Sequence, residues 1–378
     1  MKIARETVRL EEPLGLTSGN VLPQVDLAFE TYGTLSPDRD NAVLLLHGLT
    51  ADQHAAGPPW HQGGRAGWWS QAIGPGLAID TDRFFVICPN VIGSFGGSTG
   101  PMSPDPTTGR PYGMRFPVIT IADMVAAQRQ LLNQIGITRL YAVIGGCMGG
   151  FQALEWMSKY PDQVESSVLI SATARTSTHN TALWSVLRAA LTSDPAWNRG
   201  DYYDGPPPNA GLGLLAMTGA LFWMSRDTLQ SKFGLRTIED RPLRYTLEPE
   251  FAIEEFLARV HHNASAGNLD ANALIYLTRA IDYFDLSREY GSVAAALGRF
   301  TSPLLLVSYS ADWRYPPQEM DEIRVALAPR AVPVRHEVLN SAIGHGAFLY
   351  DFASLEPLLA DFLKNRSQPI HGGDGRST

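Results

Sequence analysis

Cysteine is nearly missing from this sequence. Among 378 residues there are two, Cys88 and Cys147, too few for a disulfide framework. No Cys/His spacing of a zinc site accompanies them, and no metal is expected. No apolar run approaches the roughly 20 residues that a membrane span needs. The net charge is −8 with both signs interspersed. The absence of a basic run excludes nucleic acid as the expected partner. The opening MKIARETVRLEEPLGL has no apolar segment followed by a small-residue cleavage site. A cytoplasmic protein is expected, with no membrane partner. Gly93, Gly96, Gly97 and Gly100 form a glycine-rich stretch, but the lysine and strand-to-helix setting of a phosphate loop are lacking.

What is present is a large apolar fraction, 44% of residues, enough for an extensive core. QVDLAFETYGTL alternates and reads as a hairpin or edge strand. AVLLLHGLT, RFFVICPNV, LYAVIGG and VESSVLISATA are short apolar runs of the kind buried on both faces of a sheet. TIADMVAAQRQLLNQIGI has helical spacing and stops near Gly136. This alternation predicts an α/β fold with a mainly parallel sheet flanked by helices. From 176 to 299 helical patterns dominate, which predicts an inserted α-helical lid. The α/β core then comprises 1–175 and 300–365, and 366–378 is expected to be a disordered tail. Cys88, inside an apolar run, reads as an inert core thiol. Phe222 and Trp223 read as lid core rather than pocket wall.

The chemistry concentrates in VIGGCMGGFQALEW. An apolar strand meets glycines, then Cys147, then a helix-forming run. In a strand–turn–helix nucleophile elbow the turn is strained, so positions two before and two after the nucleophile must be small. Gly145 and Gly149 stand there. A thiol at the helix N-terminus is expected to have a lowered pKa. Partners follow in the order acid then histidine: Asp312 after LLLVSYS, and His345 after RHEVLNS. The carboxylate orients the imidazole and stabilises its cation. The imidazole deprotonates Cys147 and later activates an acceptor. Oxyanion donors are expected from the N–H groups of Met148 and Leu49. His47 is expected to shape the oxyanion loop rather than react.

The sequence resembles the homoserine O-acetyltransferases of the α/β-hydrolase superfamily. LLLHGLTADQHAAG, GSTGPMSPDPTTGRPYGMRFPVITIADMV, AVIGGCMGGFQALEW, LTRAIDYFDL and SADWRYPP carry the resemblance, which spans nearly the whole chain. It implies an α/β-hydrolase core, a helical lid, and a homodimer joined through the lids. It also implies ping-pong acyl transfer from acyl-coenzyme A. By position, Cys147, Asp312 and His345 correspond to the triad, and Leu49 and Met148 to the oxyanion donors.

The departures are as informative. Serine is the family's nucleophile where Cys147 stands. A lid arginine that grips the substrate carboxylate is Ala216 here. The aspartate of GHDAF, which receives the amino group, is Gly346. A basic position in a glycine-rich loop is Gly96. Ala216 and Gly346 are therefore the positions expected to line a changed acceptor pocket. Each lost charged contact is worth about 1.5–3 kcal/mol. The expected function is transfer from acyl-coenzyme A through an acyl-cysteine to a small-molecule hydroxyl or amine other than homoserine, with no bound cofactor. Ester, thioester or lactone hydrolysis by the same triad is the alternative. Homoserine or serine O-acetylation ranks after it.

Overall fold

Short β-branched and leucine-rich runs bounded by Gly, Pro or Asn build the sheet. The computed structural model describes residues 1–61, 64–265 and 269–365; the expected tail lies outside the described residues. The strands of the main sheet are β1 Ile3–Arg9, β2 Asp26–Tyr32, β3 Ala42–Leu46, β4 Phe85–Pro89, β5 Ala142–Gly146, β6 Ser167–Ile170, β7 Leu304–Tyr309 and β8 Val334–Leu339. Their order across the sheet is β1-β2-β4-β3-β5-β6-β7-β8. β1 runs antiparallel to β2, and β2 to β4. All later neighbours are parallel. The alternating segment QVDLAFETYGTL forms β2, one strand in from the edge and buried at all positions but its first, while the largely exposed β1 is the antiparallel edge. The continuous runs β3 and β7 are buried at every position, as a sheet covered on both faces requires. This is an α/β-hydrolase fold.

Helix α1 (Ile121–Gln134) starts at Thr120, whose side chain accepts from the Asp123 N–H, while Asp123 returns a bond to Thr120. This capping box satisfies two orphan donors at once. Gly136, at φ 77°, ends the helix where a left-handed residue is needed. Helix α2 (Met148–Lys159) follows β5 and lies beside α1.

Between β6 and β7 the chain forms helices α3 (Thr178–Thr192), α4 (Asn209–Trp223), α5 (Arg226–Lys232), α6 (Ala252–Ser265) and α7 (Ala271–Tyr283). α4 packs against α3 and α6, and α3 against α7. A nearly buried ion pair ties α3 to α7, Arg188 Nη2 to Asp282 Oδ2 at 2.6 Å. After α7 the chain lies against α2 again. Phe284 stacks on Phe151 with centroids 4.6 Å apart, and the Ser158 hydroxyl donates to the Ala296 carbonyl at 2.9 Å.

Candidate active site

The elbow forms because its glycines leave no alternative. A side chain at Gly145 would run into the carbonyl of Gly149, and one at Gly149 into the carbonyl of Leu46. β5 and α2 can therefore approach closely only with hydrogen at both places. Between them Cys147 takes φ 56° and ψ −124°, a conformation that non-glycine residues reach at a cost of about 1–3 kcal/mol. Its N–H donates to the Ile170 carbonyl at 3.0 Å, which fixes the turn against β6. The thiol stands at the first turn of α2 and is 5% exposed.

Asp312 and His345 come from the loops after β7 and β8, 33 residues apart in sequence. His345 donates from Nδ1 to Asp312 Oδ2 at 2.9 Å. The other carboxylate oxygen accepts the N–H groups of Arg314 and Tyr315, both at 3.0 Å. Burial alone would favour the protonated acid. The His345 charge and these hydrogen bonds outweigh it, and Asp312 titrates below the ordinary range. Burial opposes a charge on His345 as well, but Asp312 and Cys147 raise it to about 9. Burial pushes the Cys147 thiol up. The charges of His345 and Arg314, followed by hydrogen bonding from His345 and the Met148 N–H, bring it down to about 7. His345 Nε2 has no fully formed hydrogen bond among the described residues, although it lies close enough to interact with Cys147. Each charge of the pair favours the other: the imidazolium draws the thiol down and the thiolate holds the imidazole up.

The loop expected to carry an oxyanion donor leaves β3 at His47. Gly48 is close to Cys147: a Cβ there would be 3.8 Å from Cys147 Cβ. Met148 is the first residue of α2, so its N–H has no intrahelical acceptor. His47 is fully buried. It donates from Nδ1 to the Gly48 carbonyl at 2.8 Å, and its Nε2 accepts the Val91 N–H at 3.1 Å. Burial lowers its pKa, so the neutral ring braces the loop. Gln152 spans loop and elbow: its amide donates to the carbonyls of His47 at 3.2 Å and Met148 at 3.3 Å. Gln128 donates to Gln152 at 2.7 Å and accepts from Trp156 at 3.0 Å. These glutamines were not singled out from the sequence.

Gly346 follows His345 directly. A Cβ at 346 would lie 2.8 Å from Cε3 of Trp223, and the Trp223 ring stands edge-on to His345 at 5.8 Å. The sequence reading of Trp223 as lid core is corrected here: the indole is half-buried and walls the triad. Phe222 stacks on Trp313 at 4.7 Å. Ala216 is half-buried on α4, two turns before Trp223 on the same helix face and about 10 Å away along the axis.

Arg314 and Tyr315, also overlooked in the sequence, border the triad. Arg314 is 4% exposed and Tyr315 fully buried. The Arg314 guanidinium lies over Trp184 at 4.4 Å, and the Tyr315 ring is 5.1 Å from that of His345. The signal was adjacency: SADWRYPP places a cation and a phenol directly after the triad acid. Cys88 lies in β4, fully buried, with its thiol pushed well up by burial. Among the described residues no cluster of His, Cys, Asp and Glu could hold a metal ion, and no helix is long and apolar enough to cross a membrane.

Comparison with known proteins adds the family. The α/β-hydrolase fold model matches residues 41–350. A homoserine O-acetyltransferase of Methanosalsum zhilinae is 44% identical over 94% of this chain and 72% of its own length. The crystal structure of homoserine O-acetyltransferase from Bacillus anthracis superposes with a TM-score of 0.90 at 27% identity, covering 98% of this chain and 100% of that one. Esterase E22 superposes with a TM-score of 0.85 at 29% identity, covering 96% and 100%. On these likenesses, the chain belongs to the homoserine O-acetyltransferase family of the α/β-hydrolase fold and is an acyltransferase.

Proposed function

We propose that the chain moves an acyl group from acyl-coenzyme A to Cys147, and from there to the hydroxyl or amine of a small acceptor other than homoserine. The observation that carries this reading is Cys147 on the strained turn into α2, next to a His345–Asp312 pair bonded at 2.9 Å, whose cation draws the thiol down. The thiolate attacks the thioester carbonyl, and the oxyanion is met by the N–H groups of Met148 and Leu49. The coenzyme A sulfur departs and takes the proton of the His345 imidazolium. The acceptor then attacks the acyl-cysteine, gives its proton to His345 Nε2, and the Cys147 thiolate leaves. Exchanging one thioester for another conserves the driving force that an acyl-serine ester would dissipate. The chain would hold no resident cofactor.

The choice of acceptor rests on Gly346 and Ala216. The family's amino-group clamp has no carboxylate here, and the space above Gly346 is taken by Trp223. Exposed Leu214 and Leu221, seven residues apart on α4, support a homodimer joined through the lids. A thiol that reacts near neutral pH suits the reducing cytoplasm. Incubation with acetyl-coenzyme A is expected to add one acetyl group, found on Cys147 by intact mass and peptide mapping. No adduct from any of several acyl donors sinks the proposal. The likeness to esterase E22 favours hydrolysis as the second reading. Release of free acid at full rate without an acceptor would establish it.

A further inference from the structure

Several side chains around Cys147 hold buried polar atoms with no fully formed hydrogen bond among the described residues: Arg314 Nη2, Tyr315 Oη, Trp184 Nε1 and His345 Nε2, although Arg314 and Tyr315 lie close enough to interact with each other, as His345 does with Cys147. His345 Nε2 belongs to the proton-transfer chemistry. The others are donors, and they lie together. The Arg314 guanidinium carbon is 4.4 Å from the Trp184 ring centroid and 5.2 Å from that of Tyr315. Arg314, Trp184 and Tyr315 are 4%, 3% and 0% exposed.

The guanidinium is held in place. Its Nε donates to Asn180 Oδ1 on α3 at 3.2 Å, and the Asn180 amide donates to the Arg314 carbonyl at 3.0 Å. Asp312 does not serve as its partner, because the Asp312 oxygens are engaged by His345 and by the N–H groups of Arg314 and Tyr315. A buried cation whose terminal nitrogen Nη2 lacks a full hydrogen bond is unfavourable unless an anion joins it. The Cys147 thiolate supplies part of that charge at rest. Acylation removes it, and the guanidinium then faces a neutral thioester. At that stage an anion beside the guanidinium becomes more favourable. The phosphates of coenzyme A lie too far along the pantetheine arm to reach it.

We infer that Arg314, with Tyr315 and Trp184, binds a substrate carboxylate next to Cys147, an inference that rests on the acyl-transfer reading. The planar guanidinium fork matches a carboxylate in two parallel hydrogen bonds. The carboxylate belongs either to the acceptor, as in a hydroxy acid, or to the far end of a dicarboxylic acyl group.

The test compares the full chain with Arg314→Met in two arms. In the first, acylation of Cys147 by acetyl- and succinyl-coenzyme A is timed by intact mass. In the second, acetylated enzyme is challenged with L-homoserine, L-serine, 4-hydroxybutyrate and the primary amide of each. The charged member of a pair is expected to react about 10- to 100-fold faster in one arm, and the arm identifies the source. In Arg314→Met that ratio is expected to collapse towards unity. Only ratios within a pair are read, so a general loss of thiol reactivity cancels. Arg314→Lys keeps the charge without the fork and is expected to be intermediate. If Arg314→Met does not fold, Tyr315→Phe, lacking one donor, is expected to lower the ratio in its place. No preference in either arm, or a preference that survives Arg314→Met, overturns the inference. If neither donor acylates Cys147, the acyl-transfer reading fails by itself. The carboxylate site is then decided by calorimetric titration of Cys147→Ala protein with the same acids and amides. Binding of an acid over its amide, lost on adding Arg314→Met, upholds the site. Equal or absent binding overturns it.

Discussion

Trp223 occupies the space that a side chain at Gly346 would need. A Cβ there would meet the indole at 2.8 Å and Tyr350 at 3.2 Å. Gly346 itself sits at φ −74°, so its backbone tolerates other residues and the obstacle is packing alone. Gly346→Asp is therefore expected to destabilise the fold by about 1–3 kcal/mol through overpacking. It is also expected to leave deacylation by L-homoserine unimproved. Adding Trp223→Ala should recover most of the lost stability, a coupling that a double-mutant cycle in urea measures. A Gly346→Asp protein as stable as the parent would show that the indole yields freely.

The thiol–imidazole pair makes a pH prediction whose sign is fixed by charge. Burial raises the thiol, and the His345 cation with Arg314 lowers it to about 7. Alkylation by iodoacetamide should therefore rise with pH through a midpoint near 7 and level off above it. His345→Ala removes the largest lowering influence and leaves the burial, so the midpoint should move above the ordinary thiol value. Asp312→Asn weakens the imidazolium and should move it the same way by less. An unchanged midpoint in His345→Ala would falsify the pairing.

Gln152 offers a test of positioning apart from reactivity. It bonds the carbonyls of His47 and Met148 at 3.2 and 3.3 Å, and so ties the loop after β3 to the elbow. Gln152→Leu preserves most of the volume and removes both bonds. Turnover is expected to fall by up to about 100-fold, since small misplacements near the reacting atoms are costly. The alkylation midpoint of Cys147 should stay put, because no charge near the sulfur changes. A shifted midpoint with normal turnover would assign Gln152 the opposite role.

The sheet was legible because its strands are buried on both faces. Continuous apolar runs such as AVLLL and LLLVSY have no other economical place, and their punctuation by Gly, Pro and Asn marks the loops. The elbow was legible because Gly145 and Gly149 answer a steric demand visible in sequence. The walls of the site were not. Trp223 looks like any aromatic on a helical stripe, and only the docking of α4 over the His345 loop decides which way it faces. Arg314 is harder still. In sequence it is one cation among 30 lysines and arginines, and its burial under α3 depends on Asn180 and Trp184, more than 120 residues earlier. Gln128 and Gln152 met across two helices, which no single-helix periodicity reports.

The nucleophile itself gives the last prediction. In Cys147→Ser the alcohol stays protonated, so His345 loses the anion that helps hold its pKa at about 9. His345 should then titrate lower, and acylation should rise with pH as the neutral imidazole forms, because the imidazole must now remove the proton during attack. The parent thiol, lowered to about 7, depends less on such a step. Acylation of Cys147→Ser is expected to be slower at neutral pH, since the thiolate is the stronger nucleophile. The ester it forms lies lower than a thioester, so transfer onward to an amine or hindered alcohol should slow by about 10-fold or more. Acylated protein should consequently accumulate in Cys147→Ser during turnover, and intact mass spectra of quenched reactions would show it. If Cys147→Ser instead turns over without accumulation and with the parent pH profile, the sulfur contributes nothing that oxygen does not.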